Sequence, residues 1–222
     1  PVLMYQYSGP GSQQVLDQFS ISWETYMASR GYIVVCVDGR GTGGRGADFT
    51  KCTYLKLGYL EARDQVETAL WLGQQPYVDK ARIGIWGWSF GGYMTLMSMS
   101  EGRPVFRAGV AVAAVTDWGY YDTIYGERFM RTPKENSENY RLTSTFSRAE
   151  QLHGSLLLVH GMADDNVHFQ NCAEYAEHLV QLGKPFEMQV YTNRDHSIWG
   201  GNTRLHLYTR LTNFFDRELQ LK

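Results

Sequence analysis

Ser89 stands in Gly87-Trp88-Ser89-Phe90-Gly91, a G-x-S-x-G sequence that sets one small hydroxyl between bulky rings and closely spaced glycines. A core strand favours bulk and a surface loop favours polarity, so neither demand explains the segment. A sharp strand-to-helix turn does explain it. Such a turn holds the serine in a strained backbone with its hydroxyl projecting, and a Cβ at either glycine would collide as strand and helix close up. The chemistry is nucleophilic attack, which a serine performs only when a base takes its proton and a carboxylate orients the base. Alone the pattern is weak, arising by chance in roughly one chain in ten of this size. Its context is specific: the strand-like RIGIWG leads directly into it, and the helix-like GYMTLMSM leads directly out.

The remaining partners are expected in the order serine, acid, histidine. SLLLVHGMADDNVHF supplies the acid: a strand over 155–160 ends at His160-Gly161, and Asp164 and Asp165 lie in the following turn. FEMQVYTNRDHSIWG supplies the base, His196, in the loop after a strand over 186–191. Of the other histidines, His153, His178 and His206 have positions that suit solvated or capping roles. His160 and His168 flank the aspartates but lack metal-ligand spacing, so no metal is expected. Gly41-Thr42-Gly43-Gly44-Arg45-Gly46 matches G-x-G-x-x-G, but ADFTKCTYLKLG follows without a helical face, and Glu61 opens a helix rather than ending a strand. The glycines are read as a tight loop, and no cofactor is expected.

These positions must be carried by a scaffold, and the 222 residues, 43 % hydrophobic, can bury one large core. A net charge of −2 with interspersed signs argues against a nucleic-acid partner or a polybasic membrane patch. No apolar run reaches the ~18 residues that span a bilayer. Cys36, Cys52 and Cys172 are scattered, which predicts buried free thiols rather than a disulfide framework. Runs over 32–37, 82–87, 108–115, 155–160 and 186–191 read as strands buried on both faces. Between them, helices are predicted over 59–75 (Val66, Ala69, Leu70 and Gly73 on one face), 169–183 (Cys172, Ala176, Leu179) and 203–220 (Leu207, Leu211, Phe214, Phe215). The alternation predicts an α/β fold, a mostly parallel sheet with helices on both faces. Residues 116–151 are expected to form a long irregular excursion at the carboxyl end of the sheet, where open α/β folds place their sites. The chain starts inside an apparent strand without an initiator Met, so one domain of a longer chain is expected.

With these residues in place, the sequence resembles the prolyl oligopeptidase family of serine peptidases, and its dipeptidyl peptidase IV branch in particular. The resemblance runs through YSGPGSQ, DGRGTGGRG, GWSFGGYM, YYDTIYGERFM, HGMADDNVHF and DHSIWG. It implies an α/β-hydrolase catalytic domain over 1–222, preceded by a β-propeller whose paired glutamates hold the substrate's amino terminus. It implies Ser89, Asp164 and His196 as the triad, choosing Asp164 over Asp165 because the family's acid stands three residues before a valine, here Val167. It implies an oxyanion hole from the Tyr7 hydroxyl and the Phe90 backbone N–H. Trp118, Tyr121 and Tyr125 match the walls of a proline pocket completed by Val115, Phe90 and Val167, and Asn166 matches the residue that binds the carbonyl ahead of the proline.

The activity implied is release of Xaa-Pro or Xaa-Ala dipeptides from peptide amino termini, without metal or cofactor, by a homodimer paired through its terminal helix. A prolyl endopeptidase or acylaminoacyl peptidase of the family would share this chemistry. An inactive binding module would have lost the serine. Phe90 replaces a frequent tyrosine, and Ala108 stands where mammalian relatives carry a disulfide cysteine. The latter leans towards a bacterial enzyme of the periplasm, envelope or exterior.

Overall fold

In a computed structural model of the chain, residues 1–219 are described. Six strands form one sheet: β1 (Val2–Tyr5), β2 (Ile33–Cys36), β3 (Ile83–Trp88), β4 (Ala108–Val112), β5 (Ser155–Gly161) and β6 (Glu187–Tyr191). Their order is β2-β1-β3-β4-β5-β6, and every neighbouring pair is parallel. All six come from the runs read as strands, counting the opening PVLMYQY, with ends shifted by up to three residues. The sheet order reverses between β1 and β3, so the carboxyl end of β3 opens at the switch point of the sheet.

Both faces of the sheet are buried, which is why the strands are apolar without alternation. Leu156 and Leu158 of β5 face a core shared with α3 (Tyr59–Leu72), α4 (Phe90–Met99) and α7 (Gln170–Gln181). Leu157 and Val159 face the opposite core, filled by Met27 of α1 (Trp23–Ser29) and by Leu207, Leu211, Phe214 and Phe215 of α8 (Thr203–Glu218). The aromatic face predicted for 203–220 is thus spent on the chain's own sheet, and residue 220 lies outside the described residues.

Several expectations are corrected. The excursion over 116–151 is a chain of short helices: a 3₁₀ turn at Trp118–Tyr120, α5 (Thr123–Met130), α6 (Ser137–Thr143) and a 3₁₀ stretch at Phe146–Gln151. Each helix is too short to show a period. Local caps mark them instead, with the Asp117 carboxylate accepting the Gly119 N–H at 2.7 Å and Asp122 that of Tyr125 at 2.8 Å. The unforeseen α1 has one buried residue, Met27, and its capping threonine, Thr25, stands where a capping box usually has Glu or Gln. A five-residue helix, α2 (Ala47–Lys51), opens directly after Gly46. In α3 the buried stripe runs through Ala62, Val66 and Ala69, which leaves Leu70 at the exposed rim. Of the three free thiols only Cys172 is buried; Cys52 is exposed and Cys36 intermediate.

Candidate active site

Ser89 joins β3 to α4 with φ 61° and ψ −118°, a left-handed backbone that a residue with a side chain rarely adopts. Two hydrogen bonds hold it there: the Ser89 N–H donates to Val112 O at 2.8 Å, and its carbonyl accepts from the Tyr93 N–H at 3.0 Å. The glycines serve the close approach expected of them. A Cβ on Gly87 would lie 2.5 Å from the Gly91 carbonyl carbon and 2.6 Å from Gln6 O; one on Gly91 would lie 2.5 Å from Gln6 O. The Gln6 side chain closes the packing by donating to Gly91 O at 2.7 Å.

Asp164 follows β5, and its side chain is wholly buried, whereas Asp165 is exposed. One carboxylate oxygen accepts the backbone N–H groups of Asn166 (3.0 Å) and Val167 (2.9 Å). The other lies 2.8 Å from Nδ1 of His196, in the loop after β6. Burial alone would raise the Asp164 carboxyl. Donors from His160 and His196, with the Asn166 N–H, outweigh it and hold the group well below the usual carboxylate range. It is therefore ionised at neutral pH and fixes the His196 proton on Nδ1, leaving Nε2 as the acceptor. The His196 loop is also tied to the serine turn, because Trp88 Nε1–H donates to the His196 carbonyl at 3.0 Å. Arg204 lies 4.8 Å from the Trp88 ring centroid and steadies it.

Phe90 is the first residue of α4, so its N–H has no intrahelical partner and points where a helix start favours negative charge. Tyr7 packs beside it with ring centroids 5.9 Å apart, and burial raises its hydroxyl above the ordinary phenol range, so it remains a donor.

The six residues matched to a proline pocket's walls converge. Phe90, Val115, Trp118 and Val167 are buried in one cluster, against which Tyr7, Tyr121 and Tyr125 pack. Trp118 and Tyr125 stack at 5.9 Å and 20°, while Tyr121 meets both edge-on at 6.0 and 5.5 Å. The Tyr121 hydroxyl donates to Oδ1 of Asn166 at 2.6 Å, which leaves the amide NH₂ of Asn166 to face outwards.

Three features escaped the sequence. Gln6 braces the glycines of the serine turn, and Trp88 clasps the His196 loop. His160, buried at 1 % exposure, touches both Val167 and Asp164. Gln6 and Trp88 bond carbonyls 85 and 108 residues away, a separation that leaves no local pattern to read.

Residues 18–222 match the sequence profile described as "Prolyl oligopeptidase family". The chain is similar to "Dipeptidyl peptidase 4" of Sus scrofa, 43 % identical over 96 % of this chain and 28 % of the relative. It is 42 % identical to "Prolyl endopeptidase FAP" of Mus musculus, over 96 % of this chain and 29 % of that protein. Among solved structures, that of Porphyromonas gingivalis dipeptidyl peptidase 4 superposes with a TM-score of 0.97 at 59 % identity, over 98 % of this chain and 31 % of that one. The chain thus spans under a third of the relatives' length.

Proposed function

Starting from the fact that this chain belongs to the prolyl oligopeptidase family, we propose that it is the α/β-hydrolase catalytic domain of a serine dipeptidyl peptidase that releases Xaa-Pro or Xaa-Ala dipeptides. The observation that carries the proposal is the pair of a buried Asp164 after β5 and His196 after β6, bonded at 2.8 Å, with the His196 loop tied through Trp88 to the turn that holds the strained Ser89 after β3.

In this reading His196 Nε2 takes the Ser89 proton as the hydroxyl attacks the carbonyl that follows proline. Asp164 keeps the imidazole in the tautomer this requires and stabilises the imidazolium. The negative oxygen of the tetrahedral intermediate receives the Tyr7 hydroxyl and the Phe90 N–H, each such donor supplying roughly 3 kcal/mol. His196 then protonates the leaving amine, and water, activated by the same imidazole, hydrolyses the acyl-enzyme. Tyr121, Tyr125, Trp118, Val115, Phe90 and Val167 enclose the pyrrolidine ring, which has no N–H to satisfy. The Asn166 NH₂ donates to the carbonyl ahead of it.

The proposal places residues 1–222 after a β-propeller whose acidic groups hold the substrate's free amine, and pairs two copies through α8. The span of under a third of each relative supports a longer parent chain, which the first part requires. Leu205, 71 % exposed on α8, is the feature that supports the second.

The test uses the full-length parent chain with Gly-Pro anilide, once with its amine free and once N-acylated. Cleavage of the free form alone, lost by at least about 10⁴-fold in Ser89→Ala, is expected. Cleavage of the acylated form would favour an endopeptidase, the activity named for the mouse relative. Silence on both would sink the proline pocket.

A further inference from the structure

We propose that His160 is a positioning residue whose single Nε2–H holds the Asp164 carboxylate and the Val167 carbonyl together, so that one buried imidazole aligns the acid of the triad and a wall of the proline pocket. The inference rests on the triad and pocket proposed above.

His160 lies near the end of β5 and is 1 % exposed. Its Nε2 is 2.7 Å from Val167 O and 3.3 Å from Asp164 Oδ2. Both neighbours are acceptors only, so Nε2 must carry a proton and share it between them. The Val167 N–H donates in turn to the other Asp164 oxygen at 2.9 Å. The result is a closed ring of contacts: imidazole to the Val167 carbonyl, Val167 N–H to the carboxylate, carboxylate back to the imidazole.

That ring explains how an exposed turn can hold a carboxylate in one orientation. Asp165, Asn166 and His168 are all exposed, whereas Asp164 and Val167 are buried. Without His160 the Val167 carbonyl would be buried without that donor, and Asp164 Oδ2 would keep His196 alone. Phe169 packs edge-on against the imidazole at 5.8 Å and fixes its plane. A packing histidine needs none of this, since its Nε2 would not meet two acceptors of the same turn.

Glutamine places its amide nitrogen close to the position of Nε2, so His160→Gln keeps a donor, while His160→Phe keeps the ring and loses it. With Gly-Pro anilide and the full-length chain, His160→Phe is expected to lower kcat by on the order of 10- to 100-fold, the cost of a misplaced catalytic group. His160→Gln is expected to recover kcat to within about 5-fold of the parent. Because Val167 moves as well, the preference for Gly-Pro over Gly-Ala anilide should narrow in the Phe variant and return in the Gln variant. In an Asp164→Asn background the Phe change should cost under about 3-fold, since it acts through the missing carboxylate.

Equal kcat in the parent, Gln and Phe forms would overturn the inference, as would a Phe cost undiminished by Asp164→Asn. Should the Phe variant not fold, His160→Asn, too short to reach Val167, takes its place, and activity equal to the Gln variant would overturn the inference. A parent chain that cleaves neither substrate would refute the triad reading itself, and this inference with it.

Discussion

The turns that carry Ser89, Asp164 and His196 and the helical excursion that carries Trp118, Tyr121 and Tyr125 lie side by side but are held by different forces. The first are fixed by hydrogen bonds and by backbone that few residue types occupy: a left-handed Ser89, glycines with a neighbouring carbonyl where a Cβ would lie, a carboxylate with donors at both oxygens. The second is held largely by rings against rings, with Trp118, Met130 and Tyr140 buried in one apolar cluster and Tyr121, Tyr125 and Phe129 packed against it. Backbone that needs glycine or a positive φ tolerates almost no substitution, so it writes itself into spacing. Packing accepts many shapes of similar volume, so it does not.

The largest expected effect follows from breaking the first region at its backbone. In Gly91→Ala the new Cβ would meet Gln6 O at 2.5 Å and Tyr7 Cα at 3.2 Å, and neither can retreat without moving β1's end. We expect a loss of about 3 kcal/mol or more, visible as a melting temperature lowered by several degrees, and a fall in kcat as Tyr7 shifts. An unchanged melting temperature would mean that the turn is softer than its bonds imply.

Tyr7→Phe is the next largest effect and separates bonding from packing at one residue. The ring that meets Phe90 at 5.9 Å is kept and only the hydroxyl is lost. A 10²- to 10³-fold lower kcat is expected, with the fold intact and KM little changed. If KM rose instead while kcat held, Tyr7 would belong to the packed region and the oxyanion would need another donor.

Glu61 is the exception inside the packed side. It is fully buried in α3, where the backbone N–H groups of Gly58 and Glu61 only partly offset its burial, and neither forms a well-aligned hydrogen bond to the carboxyl. Burial pushes its carboxyl up from 4.5 to about 8. Between those values the folded chain keeps a proton that the unfolded chain has released, so stability falls as pH rises through that window. The slope is about 1.4 kcal/mol per pH unit. Melting curves from pH 5.5 to 7.5 should therefore fall more steeply for the parent than for Glu61→Gln, and parallel curves would mean that the carboxyl is already ionised in the folded chain.

This contrast also explains what the sequence conveyed. Order and strand ends alone single out Ser89 and His196 as candidates. They do not choose Asp164 over Asp165: two adjacent carboxylates are equivalent until one is buried beneath donors and the other is exposed. Tyr7 reads as a strand-end aromatic, and only resemblance singled it out. The helices of 116–151 were missed because helices of seven or eight residues show fewer than three turns of any period. The buried face of α3 was read one step off, since Leu70 repeats Val66 at i+4 as well as Ala69 does at i+3.

The bond between Tyr121 and Asn166 crosses between the two regions, and removing it gives the smallest and most specific effect. The Tyr121 hydroxyl, on the aromatic side, donates to Asn166 Oδ1 at 2.6 Å, and the Asn166 N–H belongs to the Asp164 turn. Burial and Asp122 push that hydroxyl up to about 12, so it stays a donor through the neutral range. Its bond sets which end of the Asn166 amide faces outwards: oxygen towards Tyr121, NH₂ towards the proposed substrate carbonyl. Tyr121→Phe keeps the ring against Trp118 and Tyr125 but lets the amide turn over, and an exposed bond of this kind contributes roughly 0.5–1.5 kcal/mol. Binding should weaken while the chemical step keeps its groups, so KM for Gly-Pro anilide should rise about 2- to 10-fold, with kcat within about 2-fold of the parent. A fall in kcat with unchanged KM would mean that the excursion steers the Asp164 turn itself, and the two regions would then act as one.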